Sequence, residues 1–242
     1  MEVGFGAGTD FIQWLRVGAQ VSGIDLTPEA LQNVTNRVKV YELPPPESIQ
    51  VADAENLPFP SGTFDLGYSF GVLHHTPDTM RAIGELTRVV KPGGDIKIML
   101  YNRHSIWCLN LWIRYALLRG RPWKPFAWTL WNFNESVGTK AFTRRELREM
   151  LSQVGWEDVH VRTEVTSADY LGASAFPPLN WFYRIAIRLA GVRECWRPRY
   201  YASRVNDPIT GRQPTERERP KGNFFSGNPL GLYHCISAKK RG

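Results

Sequence analysis

The chain opens on Met1-Glu2-Val3-Gly4-Phe5-Gly6-Ala7-Gly8-Thr9-Asp10, a glycine-rich turn between a short apolar strand and a helix. Glycines at every second position allow backbone conformations with positive φ, and they let a ligand approach where a Cβ would collide. The start of the following helix offers unpaired N–H groups and a partial positive charge. Thr9 or Asp10 is expected to cap this helix, which should end at Gly18. The turn therefore predicts a ligand cradle on a strand-loop-helix unit.

Length and composition limit the class of protein. A chain of 242 residues with 43% hydrophobic content suits one elaborated domain with a sizeable core. Cys108, Cys195 and Cys235 are dispersed, without metal or disulfide spacing, which predicts no metal site and favours a reducing, cytoplasmic setting. The sequence shows neither a secretory segment nor an apolar run of membrane-spanning length. We expect one soluble domain over residues 1–242.

The net charge of +7 is unevenly distributed. Residues 184–222 hold ten basic residues against four acidic ones. Such a stretch can attract nucleic acid or an anionic membrane surface, and it can equally be a solvated surface segment. Both interpretations stay open at this point.

Strands alternate with helices after the opening turn. The apolar runs at 19–25, 49–53, 64–70 and 95–102 read as the second to fifth strands. Thr76 and Pro77 have the chemistry of a helix start before the fifth strand. This spacing predicts βαβ units and a doubly wound, mostly parallel sheet.

Asp25 stands at the carboxyl end of the second strand, seventeen positions after Gly8. A carboxylate at this place in a doubly wound sheet commonly accepts hydrogen bonds from a ribose diol. Thr27, followed by Pro28 at the first helical position, should serve as the next helix cap and leave Asp25 free for a ligand.

Several motifs then occur in a characteristic order. They are Glu-x-Gly-x-Gly-x-Gly at 2–8, Asp25, Asp53-Ala54, Phe64-Asp65, Leu73-His74-His75 and Arg88-Val89-Val90-Lys91-Pro92-Gly93-Gly94. Together they resemble the class I S-adenosylmethionine-dependent methyltransferases that act on small molecules, of the ubiquinone and menaquinone biosynthesis type. The resemblance covers residues 1–102 densely and 142–166 less so. A dinucleotide-binding oxidoreductase is the nearest competitor, but its third glycine falls one residue later.

The resemblance implies a Rossmann-like α/β fold with a seven-stranded sheet, an antiparallel last strand at 230–240 and helical insertions. It implies S-adenosylmethionine as cofactor, with glycines and Glu2 at the methionyl end, Asp25 on the ribose and Asp53 at the adenine. The implied cofactor-binding residues are Glu2, Gly4, Phe5, Gly6, Gly8, Asp25, Leu26, Asp53, Ala54, Ser69 and Phe70. Family members also have a fuller first strand and a preceding helix, so we expect a fragment or a site closed by other means.

The segment 103–141 is an insertion rich in tryptophan. It holds five of the nine tryptophans, Trp107, Trp112, Trp123, Trp128 and Trp131. Residues 105–118 are apolar nearly all round, so as a helix they should be buried on more than one side. The segment can cover an acceptor pocket, lie in a membrane interface anchored by its arginines, or belong to the core. A lid is favoured, because insertions after the fifth strand lie at the ligand edge of such sheets.

The remaining segments read as scaffold and a basic insertion. Thr143 and Glu146 have capping-box spacing at the start of a helix, and a strand follows within 142–166. Residues 167–229 are long for a connection; we expect a helix at 181–189 and irregular structure at 198–227.

Methyl transfer from a sulfonium needs alignment of the reacting atoms and exclusion of water. His75, or with less weight His74, is a candidate base, and either can instead shape its loop by hydrogen bonding.

Tyr101, Asn102 and Trp107 are candidates to line the acceptor site. The acceptor is expected to be small and apolar or aromatic. Nucleic-acid substrates are disfavoured, because no Asn/Asp-Pro-Pro-aromatic or Pro-Cys motif is present. A non-catalytic cofactor-binding module and an inactive fragment remain alternatives.

Overall fold

The computed structural model describes residues 1–164, 225–227 and 229–242, with the backbone alone at 225–227. Eight strands lie within these residues: Glu2–Val3 (β1), Ser22–Asp25 (β2), Ser48–Val51 (β3), Phe64–Phe70 (β4), Val90–Tyr101 (β5), Trp156–Glu164 (β6), Phe225–Gly227 (β7) and Tyr233–Lys240 (β8). The same described ranges contain six α-helices: Thr9–Arg16 (α1), Pro28–Val40 (α2), Thr79–Val89 (α3), Ile106–Tyr115 (α4), Phe126–Phe133 (α5) and Arg144–Ser152 (α6). The strands form one sheet in the order β3-β2-β1-β4-β5-β8-β6-β7.

The sheet is parallel except at β8. β1 pairs in parallel with both β2 and β4, and the pairs β2–β3 and β4–β5 are parallel too. β8 runs against β5, because Lys240 Nζ reaches the Val90 carbonyl at the start of β5 whereas Asn102, just past its end, donates to the Leu232 carbonyl. The Rossmann-like prediction, with its antiparallel last strand, is confirmed.

The sheet has one strand more than the predicted seven. β7 is a three-residue edge strand that pairs in parallel with β6, with Val161 opposite Phe225. It lies in a stretch that we expected to be irregular. Three residues are too few to show the alternation that identifies a strand in a sequence, so only the pairing partner reveals it.

The chain packs as two compact units. The first comprises residues 1–100, 138–159 and 235–242, and the second comprises 101–137 and 160–234. In the first unit α1 buries Phe11, Ile12 and Leu15, which recur at helical spacing and pack with Val34 of α2. This packing seats the glycine turn between β1 and α1.

The second unit contains an α4–α5 helical hairpin. Ser105 caps α4 by accepting a hydrogen bond from the Cys108 N–H at 3.2 Å. The two helices meet through aromatic pairs, including Tyr115 stacked on Phe133 at 4.5 Å. Leu109 of α4 is 40% exposed, so the predicted burial on more than one side is wrong for that side chain. Within the part of the chain that the structure describes, no helix is long and apolar enough to cross a bilayer.

Three helix starts test the capping predictions. α1 begins after Gly8, which adopts a left-handed conformation, so the prediction of a Thr9 or Asp10 cap is wrong. α3 is capped by Asp78, whose side chain accepts from Arg81 N at 3.0 Å, and not by Thr76 and Pro77 as predicted. Here the chain first makes a short 3₁₀ helix at Leu73–His75, which moves the helix start downstream.

The capping box at α6 is confirmed. Thr143 Oγ1 accepts from the Glu146 N–H at 3.2 Å, and the Glu146 carboxylate accepts from the Thr143 N–H at 2.8 Å. The predictions for Cys195, the helix at 181–189, the basic stretch 184–222 and most of 198–227 lie outside the described residues.

Candidate functional site

The three glycines of the opening turn serve two different purposes. All three have positive φ, at 75°, 49° and 76° for Gly4, Gly6 and Gly8. A Cβ at Gly4 would lie 2.3 Å from Val72 Cγ2, and one at Gly8 would lie 2.6 Å from Val34 Cγ2. A Cβ at Gly6 would meet nothing within 4 Å. Gly4 and Gly8 are therefore required by the protein's own packing, whereas Gly6 borders space that is open to a ligand.

Asp25 ties the glycine turn to the end of β2. Its Oδ2 accepts from the Gly6 N–H at 2.8 Å, and its Oδ1 accepts from the N–H and hydroxyl of Thr27 at 3.1 and 3.0 Å. Thr27 is the N-cap residue of α2 and Pro28 follows it, as predicted, but its side chain makes no capping hydrogen bond. The prediction that Asp25 is left free is wrong. A carboxylate has about four acceptor positions, so these bonds leave capacity for one further donor. The neighbouring Leu26 side chain is 72% exposed, as an apolar surface beside a ligand would be.

Glu2 lies beneath the turn and not on its surface. Its side chain is buried, and burial followed by the nearby Asp10 raises the pKa of its carboxyl well above the ordinary value. The Glu2 Oε2 atom has no hydrogen-bond partner among the described residues. Asp10 itself accepts a hydrogen bond from the Tyr68 hydroxyl at 2.5 Å. A buried oxygen without a donor is costly, and an ammonium group or a water at this site would satisfy it.

The end of β4 is held against β1. Ser69 is fully buried, and its hydroxyl donates to the Val3 carbonyl at 3.0 Å. The Phe5 ring packs edge-on against Phe11 at 5.3 Å, so its side chain belongs to the core and only its main chain faces the turn. Phe70 is half-buried at the carboxyl end of β4. Main-chain atoms, which a sequence does not display, make up much of this part of the site.

The two histidines beyond β4 lie in different environments. His74 is fully buried, and burial lowers its pKa well below the ordinary value, with further lowering by His75 and Lys140. His75 is half-buried, and its Nδ1 lies 3.1 Å from the Thr139 hydroxyl. The rings are 4.3 Å apart. The burial of His74 suits a packing role, whereas His75 is accessible enough to meet an acceptor.

The loop that carries Asp53 and Ala54 is anchored by residues that sequence reasoning missed. The Asp53 carboxylate accepts from the Glu55 N–H at 2.9 Å, and Ala54 is buried. Arg88 donates to the Phe59 and Leu57 carbonyls at 2.8 and 3.0 Å. These bonds hold the loop over the end of β3. In the sequence Arg88 stands out only as part of a motif, because its partners lie about thirty residues earlier.

A second anchor missed in the sequence is Lys140. Its ammonium group donates to the Pro77 carbonyl at 2.9 Å, and also to the Thr76 carbonyl. Its own N–H donates to the His74 carbonyl at 3.0 Å. Burial lowers the pKa of this amine, and Asp78 opposes that effect. Lys140 thus positions the loop that holds both histidines, and no local pattern around it indicates this.

The residues predicted to line an acceptor site already have partners in the second unit. The Tyr101 hydroxyl donates to Glu135 at 2.9 Å. The Asn102 amide donates to the Gly231 carbonyl at 2.8 Å, and Trp107 Nε1 donates to Asn134 at 2.9 Å. These bonds suit structural roles, and the assignment to an acceptor site stays a prediction.

Comparison with known proteins identifies the amino-terminal part of the first unit. A family model described as a methyltransferase domain matches residues 1–98. Residues 1–98 therefore belong to a methyltransferase domain of the class I, S-adenosylmethionine-dependent type. The cofactor of this family is S-adenosylmethionine, and a solved structural neighbour of this methyltransferase domain contains it.

The relatives include norajmaline N-methyltransferase of Rauvolfia serpentina, 33% identical over 107 residues, which are 44% of this chain and 37% of that protein. Demethylmenaquinone methyltransferase of Geobacillus is 27% identical over 154 residues, which are 60% of this chain and 63% of the relative. The chain thus spans less than two thirds of these relatives. An S-adenosylmethionine-dependent methyltransferase structure from Thermotoga maritima has a TM-score of 0.55 at 16% identity, covering 99% of this chain and 81% of the other. That likeness shows the fold alone.

Proposed function

We propose that this protein transfers the methyl group of S-adenosylmethionine to a small, apolar or aromatic acceptor. The observation that carries the proposal is the open face at Gly6, whose N–H is held by the Asp25 carboxylate at 2.8 Å inside a matched methyltransferase domain. A backbone free of Cβ atoms next to an anchored carboxylate suits a ligand with a ribose.

The residues present fit this cofactor, which supplies an electrophilic methyl group when bound. Asp25 would bind the ribose hydroxyls with its remaining acceptor capacity, and Leu26 would cover one face of the adenine. Asp53 and Ala54 would border the adenine edge. The buried Glu2 oxygen would receive a donor from the methionyl end, directly or through water.

His75 is the proposed base for an acceptor that must lose a proton. Its Nδ1 lies 3.1 Å from the Thr139 hydroxyl, an arrangement that can fix the tautomer of the ring. If Nδ1 carries the proton and donates to Thr139, then Nε2 is the basic atom. Val72 packs directly on Gly4, so the loop of His75 adjoins the glycine turn.

The apolar acceptor is supported by two observations. The names of the relatives give norajmaline and demethylmenaquinone as acceptors. The chain also holds its tryptophan-rich segment directly after β5, where insertions in such sheets meet ligands.

We propose a cytoplasmic setting, because Cys108 and Cys235 are buried thiols.

Calorimetric titration with S-adenosylmethionine and with its demethylated product tests the cofactor assignment, and a panel of acceptors tests the reaction. We expect binding of both molecules, with turnover on quinols or aromatic amines. Binding without turnover on any acceptor would favour a non-catalytic module. Absence of binding by a chain that unfolds cooperatively would favour an inactive fragment. Methylation of proteins or nucleic acids alone would overturn the acceptor class.

A further inference from the structure

The turn between α4 and α5 exposes apolar side chains in an unusual concentration. We define residues 117–124, Leu-Leu-Arg-Gly-Arg-Pro-Trp-Lys, as the hairpin tip. Residues 117–123 are all exposed. Trp123 is 73% exposed, and Leu118 and Leu117 are 62% and 44% exposed. Apolar side chains of this size that cluster at a turn mark an interaction surface.

The hairpin tip is also strictly cationic. Arg119, Arg121 and Lys124 lie within its eight residues. The sequence from 103 to 134 contains two further arginines and no acidic residue. An anionic bilayer interface has negatively charged headgroups with an apolar layer just beneath them. An apolar surface ringed by cations is complementary to it.

Hydrogen bonds hold the hairpin tip in one shape. The Arg121 N–H donates to the Ala116 carbonyl at 2.8 Å, and Gly120 turns the chain with a φ of 68°. Trp112 Nε1 donates to the Lys124 carbonyl at 2.6 Å, which ties the end of the tip to α4. The exposed side chains are therefore presented by an ordered turn, so little conformational entropy is lost on docking.

Two of the three cations of the hairpin tip lie over aromatic rings of the hairpin. The Arg119 guanidinium lies 5.1 Å from the Tyr115 ring centre, and Lys124 Nζ lies 5.0 Å from the Trp128 ring centre. Such stacking keeps the side-chain stems along the apolar surface while the charges stay at the level of water or phosphate. Trp123 has the amphipathic ring that prefers the headgroup region.

We propose that the hairpin tip docks on a membrane surface rich in anionic lipids, with Leu118 and Trp123 inserted at the headgroup boundary and the three cations on lipid phosphates. This inference concerns a surface of the second unit and does not depend on the proposed methyl transfer. It makes the protein peripheral and its membrane binding reversible.

Co-sedimentation with vesicles tests this proposal. The probes are vesicles of phosphatidylcholine alone and of equal parts phosphatidylcholine and phosphatidylglycerol. We expect binding to the anionic vesicles, weakened by salt. Trp123→Ser should reduce the partition coefficient on the order of tenfold, because an aromatic anchor is lost. Arg121→Gln should reduce it about fivefold, as expected for one cation near an anionic surface.

The basic stretch 184–222 can bind anionic vesicles by charge alone, so the tip variants decide the assignment. Val40→Ser is the matched control, because Val40 is 76% exposed but lies on α2 in the first unit. Its vesicle binding should equal that of the unsubstituted protein. Equal binding by Trp123→Ser and Val40→Ser would overturn the proposal. Failure of the unsubstituted protein to bind both kinds of vesicle would also overturn it. A concentration-dependent dimer or a DNA complex that forms without lipid and is abolished by Trp123→Ser would overturn it too.

Discussion

The glycine turn and the helical hairpin are built by opposite strategies. Around the turn, hydrogen bonds join residues far apart in sequence: Tyr68 to Asp10 across 58 positions, and Ser69 to Val3 across 66. In the hairpin the bonds are more local, such as Trp112 to the Lys124 carbonyl across 12 positions. Polar groups in the first region are turned inward around the glycine turn, whereas the second leaves apolar and cationic side chains in solvent.

Substitutions in the two regions should have different effects. The site in the first unit depends on close approach between distant segments, so a single methyl group can disturb both stability and cofactor affinity. The hairpin carries its exposed side chains on a locally bonded turn, so surface substitutions there should leave stability nearly unchanged.

Gly4→Ala should have the largest effect, because it acts where distant segments approach most closely. Its left-handed φ costs about 1 to 2 kcal/mol for an alanine, and the collision with Val72 adds about 1 to 3 kcal/mol. Urea unfolding should therefore show the free energy of unfolding lowered by about 2 to 5 kcal/mol. Gly6→Ala is the control, because it has the same left-handed strain but its Cβ meets open space; it should lose only about 1 to 2 kcal/mol of stability, together with cofactor affinity. Unchanged affinity in Gly6→Ala would remove that space from the cofactor site.

Asp25→Ala should weaken cofactor binding by about 1.5 to 3 kcal/mol, as for a lost charged hydrogen bond. The substitution also removes the acceptor of the Gly6 N–H, so part of the lost affinity comes from a less well held glycine turn. Calorimetric titration with the demethylated cofactor measures the loss of affinity. Asp65→Ala is the matched control: its exposed carboxylate pairs with Lys91 at 2.7 Å at the start of β4. Comparable losses in both variants would show that the effect is not specific to the site.

Acidification should destabilise the protein through His74. Burial lowers its folded pKa below the ordinary value of 6.5, so the unfolded chain binds the proton more readily. Its contribution is complete above pH 6.5 and falls by up to about 1.4 kcal/mol per unit below it. The free energy of unfolding of His74→Gln should depend less steeply on pH below 6.5. The exposed His104→Gln should show the same pH dependence as the unsubstituted protein. Identical slopes in all three would exclude His74 as the source.

Tyr101→Phe should give the smallest effect, in the second unit. It removes the bond to Glu135, which costs about 0.5 to 1.5 kcal/mol of stability. Because that carboxylate is exposed, water can replace the hydroxyl. Cofactor affinity and the KM for acceptor should stay unchanged. A raised acceptor KM with unchanged stability would contradict the structural role and place Tyr101 in the acceptor site.

Much of the fold and part of the site could be predicted from local patterns. The span of β4 and the capping box at Thr143 were predicted to the residue, because each depends on neighbours in the chain. The cap of α1 was predicted wrongly, because Asp10 accepts a hydrogen bond from Tyr68 of a distant strand instead of capping its own helix. The anchors Arg88 and Lys140 were missed for the same reason, since their acceptors are main-chain carbonyls in other loops.

The sequence by itself determined the doubly wound class, the glycine turn and the acidic residue after β2, because periodicity and turn chemistry act over a few residues. Tertiary structure alone decided which glycine borders open space, which histidine is buried and which donors the Asp25 carboxylate accepts from. It also decided which apolar side chains of the hairpin reach solvent. The environments of the glycines and histidines depend on the approach of segments remote in sequence, which local propensity does not encode.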